Sequence, residues 1–197
     1  METSSVLNIY RKLQKQNIKF VDYSALQHIT GLKSKNSLYK LAYRMKQKNL
    51  LLSLNKTGKF LVVDSNPSQF EIANFLYRPS YVSLESALSF YGVLAQFVYS
   101  ITSVSTKKTK EFIVSDKEYV YSRIKKDFYW GYEKKDDFLI ALPEKALLDS
   151  LYFFSKGLIN FSLEELDLSS INKKSISVFQ KRLNSVSVDK LLKKLKL

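Results

Sequence analysis

A chain of 197 residues with a formal net charge of +14 and no cysteine has room for one large domain or two small ones, and it excludes disulfides, thiol catalysis and cysteine-bound zinc. The charge is uneven: residues 1–65 hold 12 Lys/Arg against 3 Asp/Glu, residues 66–155 hold 11 against 11, and residues 156–197 hold 9 against 4. A polyanion partner is therefore expected for the first third, while the neutral middle is not organised around phosphate.

In chain order, Ser4 or Ser5 can cap a first helix whose Val6, Ile9, Tyr10 and Leu13 face inward while Arg11, Lys12 and Lys15 stay wet. Phe20-Val21 reads as an extended link or a small strand. Ser24 and Gln27 have capping-box spacing, Leu26 and Ile29 give the helix they open an apolar side, and Gly31 can end it in the left-handed conformation. Leu32-Lys33 turn the chain and Ser34 can cap the next helix. Along Lys33–Lys48, Leu38, Leu41, Ala42 and Met45 form one helical face. Asn36, Lys40, Tyr43 and Gln47 lie opposite, flanked by Lys33, Tyr39 and Arg44, and no Asp or Glu occurs from Leu32 to Val63. Amides that pair with a base edge and cations that meet phosphate are the equipment of a DNA-recognition helix. Leu50–Leu54 and Lys59–Val63 follow as short β-rich runs around the turn Asn55-Lys-Thr-Gly58. The order predicts a winged helix-turn-helix over residues 1–65, with Lys33, Lys35, Asn36, Tyr39, Lys40, Tyr43, Arg44, Lys56 and Lys59 as the DNA-binding set.

Asp64–Ser68, with Pro67, marks the boundary to a second domain over 66–197. Gln69–Tyr77 reads as a helix, Tyr81–Ser83 as extended, and Leu84–Tyr91 as a helix ending at Gly92. From Ser100 the alternation of Ile101, Val104, Phe112, Val114, Val120 and Ile124 predicts strands, two of them separated by Lys107-Lys-Thr-Lys110. Phe138–Leu142 is a further strand. Pro143 opens a helix with a wide stripe of Ala146, Leu147, Leu148, Leu151 and Tyr152. Residues 158–197 read as helices over Ser162–Leu166, Lys173–Leu183 and Val188–Lys196, the last with Val188, Leu191, Leu192 and Leu195 opposite four lysines. The fold class is α+β: a winged helix-turn-helix, then a mostly antiparallel sheet and C-terminal helices.

Three blocks in this order, Tyr81–Gly92 (YVSLESALSFYG), Ile101–Phe112 (ITSVSTKKTKEF) and Ile140–Asp149 (IALPEKALLD), resemble the AbiEi family of type IV antitoxins, transcriptional regulators of phage-defence (abortive infection) operons. The resemblance is nearly end to end, weaker after Phe154, and departs at the link Ala95–Val98, which has no Pro. It implies a repressor of its own operon that binds inverted repeats of double-stranded operator DNA. It also implies a cognate nucleotidyltransferase toxin whose effect the C-terminal domain opposes without a required stable complex. The alternative is an interaction protein that neutralises the toxin by direct contact.

Other chemistry finds little support. His28 is the only histidine, so imidazole metal ligation lacks a second ring. Asp136, Asp137, Glu144 and Lys145 contain the residue types of a metal-dependent nuclease, but in a solvated turn and at a helix start. The expectation is no enzyme, no catalytic residue, no metal and no cofactor. Lys107, Lys108 and Lys110 form either a solvated loop or a second anion site for DNA flanks or an RNA. Tyr129, Trp130 and Tyr132 either pack in a strand core or stack on bases. The basic last helix either docks by its leucines or meets an anionic surface, with docking favoured. No apolar run approaches the roughly 18 residues of a membrane span. Met1–Val6 lacks the features of an export signal, so a cytoplasmic protein without a membrane partner is expected.

Overall fold

The computed structural model describes residues 2–56, 58–95, 98–160 and 162–197, with side chains from Val6 onward. It divides into two compact units, Met1–Ser68 and Gln69–Leu197, three residues beyond the boundary expected from Pro67. The fold is mixed α and β throughout.

The first unit runs α1 (Glu2–Lys15), β1 (Phe20–Asp22), α2 (Tyr23–Thr30), α3 (Lys35–Gln47), β2 (Leu51–Ser53) and β3 (Lys59–Val62). Its three strands form an antiparallel sheet in the order β1-β3-β2. Val6, Tyr10 and Leu13 of α1 are buried as their spacing requires, and they share one core with Leu26, Leu38, Leu41, Met45 and Phe60. The Tyr10 hydroxyl lies 3.0 Å from both Val63 O and Asp64 Oδ2, the two acceptors open to its one proton, which ties α1 to the end of β3.

Two capping expectations are corrected here. The backbone is already helical at Glu2, so Ser4 and Ser5 lie inside α1. Ser24 and Gln27 lie inside α2, and Asp22 is the cap: its Oδ1 accepts from the Ala25 N–H at 2.8 Å. The reason is that β1 holds the chain extended as far as Asp22 (φ −119°, ψ −178°), so the helix starts there and takes the carboxylate that its N-terminal dipole favours. Gly31 closes α2 at φ 71°, its N–H donating to Gln27 O. Ser34 stands at the N-cap position of α3 in an extended conformation, without a capping hydrogen bond from its side chain.

The second unit contains α4 (Gln69–Leu76), β4 (Ser80–Val82), α5 (Leu84–Phe90), β5 (Ile101–Ser105), β6 (Lys110–Val114), β7 (Lys117–Arg123), β8 (Tyr132–Lys135), β9 (Phe138–Ala141), α6 (Pro143–Phe154), α7 (Lys173–Leu183) and α8 (Val186–Lys194). Single 3-10 turns lie at Lys126–Phe128 and Leu163–Glu165. Six strands form one sheet in the order β6-β7-β5-β4-β9-β8. It is mixed: β6–β7, β5–β4 and β9–β8 pair antiparallel, while β7–β5 and β4–β9 pair parallel. Both parallel pairs join strands that are not consecutive in the chain, β5 with β7 and β4 with β9, while the hairpins β6–β7 and β8–β9 pair antiparallel. Gln96 and Phe97, in the link that departs from the resembled family, lie outside the described residues.

Helices cover both faces of this sheet. The Tyr121 hydroxyl donates to Ala73 O of α4 at 2.6 Å, and the register carries Tyr121 through Ser103 to Val82 on one face. Tyr81, next in the strand, points to the other face, where its hydroxyl donates to Asp149 of α6 at 3.0 Å. Asp149 also accepts from Ser83 Oγ at 2.9 Å and pairs with the Lys145 ammonium one helical turn back; both ionic side chains are fully buried. Lys145 Nζ also lies over the Trp130 ring, 4.9 Å from its centroid. Burial raises the Asp149 carboxyl above its usual range, while the Lys145 ammonium and the two hydroxyls pull it back. The apolar stripe of α6 is buried as the sequence indicates, with α7 and α8 packed on the same helix. Among the described residues no helix is long and apolar enough to cross a membrane.

The ion pair makes a stability prediction. Lys145→Met strands a buried carboxylate and should cost about 3–5 kcal/mol. Lys145→Met combined with Asp149→Asn removes both charges and should cost less than Lys145→Met alone. Urea denaturation of the two variants checks it; equal losses would show that the pair's charge carries no weight.

Candidate nucleic-acid interface

The four residues that α3 buries, Leu38, Leu41, Ala42 and Met45, decide what it exposes. With that stripe in the core, Lys33, Lys35, Asn36, Tyr39, Lys40, Tyr43, Arg44 and Gln47 are all exposed. Tyr39 and Tyr43 keep 50% and 59% of their surface accessible, more than packing rings normally would. The face is acid-free, and it combines hydrogen-bonding amides and phenols with fixed cations.

The hairpin is held to α3 through one ring. Tyr23, at the start of α2, meets Tyr39 of α3 edge to face at 4.7 Å and Phe60 of β3 edge to face at 5.5 Å. A Cβ on Gly58 would stand 2.1 Å from the same ring, so only glycine permits this approach, and it does so at φ 81°. Burial and the neighbouring Tyr39 raise the Tyr23 phenol above its ordinary range. The Leu54 N–H donates to Lys59 O at 2.9 Å to close the turn, and Asn55 Oδ1 accepts from the Lys59 N–H at 3.4 Å. Lys56 is exposed beside the turn and Lys59 half-buried at its base. Thr57 lies outside the described residues. Sequence reading missed Tyr23; an aromatic residue between a strand and a helix gives no local sign that it will meet two distant rings.

Beside α3, an open depression of about 560 Å³ lies between the first three helices, with Val6, Ile9 and Leu32 among its apolar walls and Lys40 and Arg44 among its lining. His28 is exposed on α2, and among the described residues no group of three or more His, Cys, Asp or Glu could hold a metal ion.

In the second unit, the nuclease-like residue set does not converge. Asp136 and Asp137 are exposed in the β8–β9 turn, with Lys134 4.0 Å from Asp137. Glu144 is buried and accepts from the Asn172 N–H at 2.9 Å, while Lys145 is consumed by Asp149. Lys107 and Lys108, between β5 and β6, and Lys110, the first residue of β6, are exposed, Lys107 over the Tyr77 ring at 5.5 Å and Lys110 over Phe112 at 5.1 Å. The aromatic trio divides. Trp130 is buried, in the loop before β8, between Lys145, Arg182 and Phe179. Tyr129 and Tyr132 are half-buried and stay at the surface. Helix α8 starts two residues earlier than expected, buries Val188 and Leu192, and leaves Lys190, Lys193 and Lys194 exposed.

Compared with the models of known protein families and with curated proteins, the chain matches none.

The Tyr23–Gly58 contact yields a prediction. Gly58→Ala adds a methyl that the ring must vacate, at a backbone angle alanine resists, and should destabilise the first unit by at least about 1 kcal/mol. Thermal unfolding measures it; an unchanged midpoint would mean that the hairpin packs otherwise.

Proposed function

We propose that the first unit is a winged helix-turn-helix in which α2 and α3 form the helix-turn-helix and β2–β3 the wing. The chain is then a sequence-specific DNA-binding repressor without catalytic activity. The single observation that carries this is the outer face of α3, where Lys33, Lys35, Asn36, Tyr39, Lys40, Tyr43 and Arg44 are exposed within a stretch, Leu32 to Val63, whose sequence has no Asp or Glu. A helix of this kind reads bases from the major groove through Asn and Arg. Asn36 is suited to adenine and Arg44 to guanine or phosphate, while Lys33, Lys35 and Lys40 meet phosphate. Lys56 and Lys59 bring charge to the backbone beside the groove. The resemblance to type IV antitoxins supports the rest of the reading: the operator is an inverted repeat near the chain's own gene, and the second unit opposes a nucleotidyltransferase toxin.

A gel shift with the DNA upstream of the gene tests the reading. Asn36→Ala or Arg44→Ala should each cost roughly 1–3 kcal/mol of operator affinity and relax base preference. Lys56→Ala should weaken all sequences alike and lower the salt slope by about one. Variants that bind the operator as tightly as the parent would remove α3 from the interface. The antitoxin part is tested separately, by whether expression of the chain rescues growth of cells carrying the neighbouring gene.

A further inference from the structure

The second unit has a cavity of about 550 Å³ at the edge of its sheet, lined by Asn74, Arg78, Ser80, Tyr129, Tyr132 and Asp137 together with Pro79 and Leu139. This volume is in the range of small-molecule sites. Two of its polar side chains are more than nine-tenths buried and incompletely satisfied. Asn74 spends its Oδ1 on the Leu139 N–H, and its Nδ2 has no hydrogen-bond partner among the described residues. Ser80 is 2% exposed and its Oγ is likewise unpartnered. Both atoms are closed off from solvent, Ser80 on the α4 face of the sheet with Val82, so whatever the site holds must be met by Tyr129, Tyr132 and Arg78.

The surrounding groups narrow what that is. Tyr132 is stacked on Tyr81 with ring centroids 4.7 Å apart, and Tyr129 leans on both rings at 5.1 and 5.2 Å, so the three rings form one contiguous aromatic wall. Arg78 is exposed at the rim, its guanidinium 5.2 Å from the Phe75 ring. The lysine loop is fastened to the same segment: the Tyr77 hydroxyl donates to Lys108 O at 2.9 Å, and Ser105 Oγ donates to Pro79 O at 2.6 Å. A simple anion would meet Arg78 but would leave the tyrosines unused. An apolar ligand would leave the exposed Arg78 guanidinium unused. A planar heterocycle joined to a phosphate engages both.

We infer that this cavity is a nucleotide site, in which a base packs on Tyr129 and Tyr132 and its phosphate meets Arg78. The nucleotide is either free or the terminal unit of a single strand whose next phosphates pass along Lys107, Lys108 and Lys110. The site rests on the second unit alone, so it stands or falls independently of DNA binding by α3.

Calorimetric titration of the full chain with the four ribonucleoside monophosphates, their nucleosides, and eight-residue single-stranded RNAs tests it. Saturable one-to-one binding is expected, tighter for nucleotide than nucleoside. Arg78→Ala should erase that difference, and Tyr129→Ala should weaken binding roughly tenfold to a hundredfold. Should Tyr129→Ala fail to fold, the exposed Arg78→Ala still decides. Oligomer binding without mononucleotide binding, reduced by Lys107→Glu with Lys108→Glu, assigns the strand end. Asn36→Ala should leave every one of these titrations unchanged while weakening operator DNA binding, which separates the two sites. No saturable binding of any probe, or binding indifferent to both Arg78→Ala and Tyr129→Ala, overturns the inference.

Discussion

The Lys145–Asp149 pair is the constraint on which the larger unit turns. Two fully buried ionic groups survive only where each finds partners, and here the carboxylate has the ammonium, Tyr81 and Ser83. Those partners come from three places in the chain: β4, the residue leading into α5, and α6. The pair therefore sets how α6 lies on the sheet. It reaches further through Tyr81, whose ring is the floor for Tyr132 and the neighbour of Tyr129. Lys145 in turn sits under Trp130 and against Gly131, where an added Cβ would stand 2.9 Å from the lysine side chain. The aromatic wall of the cavity is thus positioned by a charge interaction beneath it, and a positioned wall is what stacking selectivity requires.

The smaller unit solves a different problem. A cationic helix face has no use unless its other face is held firmly enough to keep it outward. Leu38, Leu41, Ala42 and Met45 supply that hold, and Met45 is completely buried. Tyr23 adds a second restraint, since its ring contacts α3 and β3 at once and closes on Gly58 in the turn. Spacing between α3 and the hairpin is consequently fixed by aromatic contact, and groups on both are presented as a single surface.

The two units differ in how much of this the chain's own pattern reveals. The face of α3 was legible because helical periodicity sorts residues by a local rule, and the buried stripe is the one that spacing names. The stripe of α6 was legible for the same reason, but its meaning was not: Lys145 and Asp149 lie one turn apart, a spacing that reads as an ordinary exposed helix pair until the sheet is placed over it. Asp22 as the cap of α2 was hidden because a cap depends on where the preceding strand releases the chain. The mixed pairing of the six-stranded sheet was hidden because alternation marks strands and says nothing about direction. The cavity draws on α4, the segment before β4, the approach to β8 and the β8–β9 turn, residues up to 65 positions apart, which no window of sequence brings together.

The charge distribution gives the two candidate sites different physical characters. Binding by α3 and the hairpin would neutralise several phosphates with Lys and Arg, and such binding weakens steeply as salt rises because counterions are released. The cavity offers one guanidinium at its rim, set against one carboxylate in its lining, so stacking must carry most of the affinity there. A mononucleotide held that way responds weakly to salt, whereas a strand drawn along Lys107, Lys108 and Lys110 regains part of the steep dependence. Ionic strength therefore separates duplex, strand end and free nucleotide by slope alone, since each engages a different number of the protein's cations while the aromatic contribution stays constant.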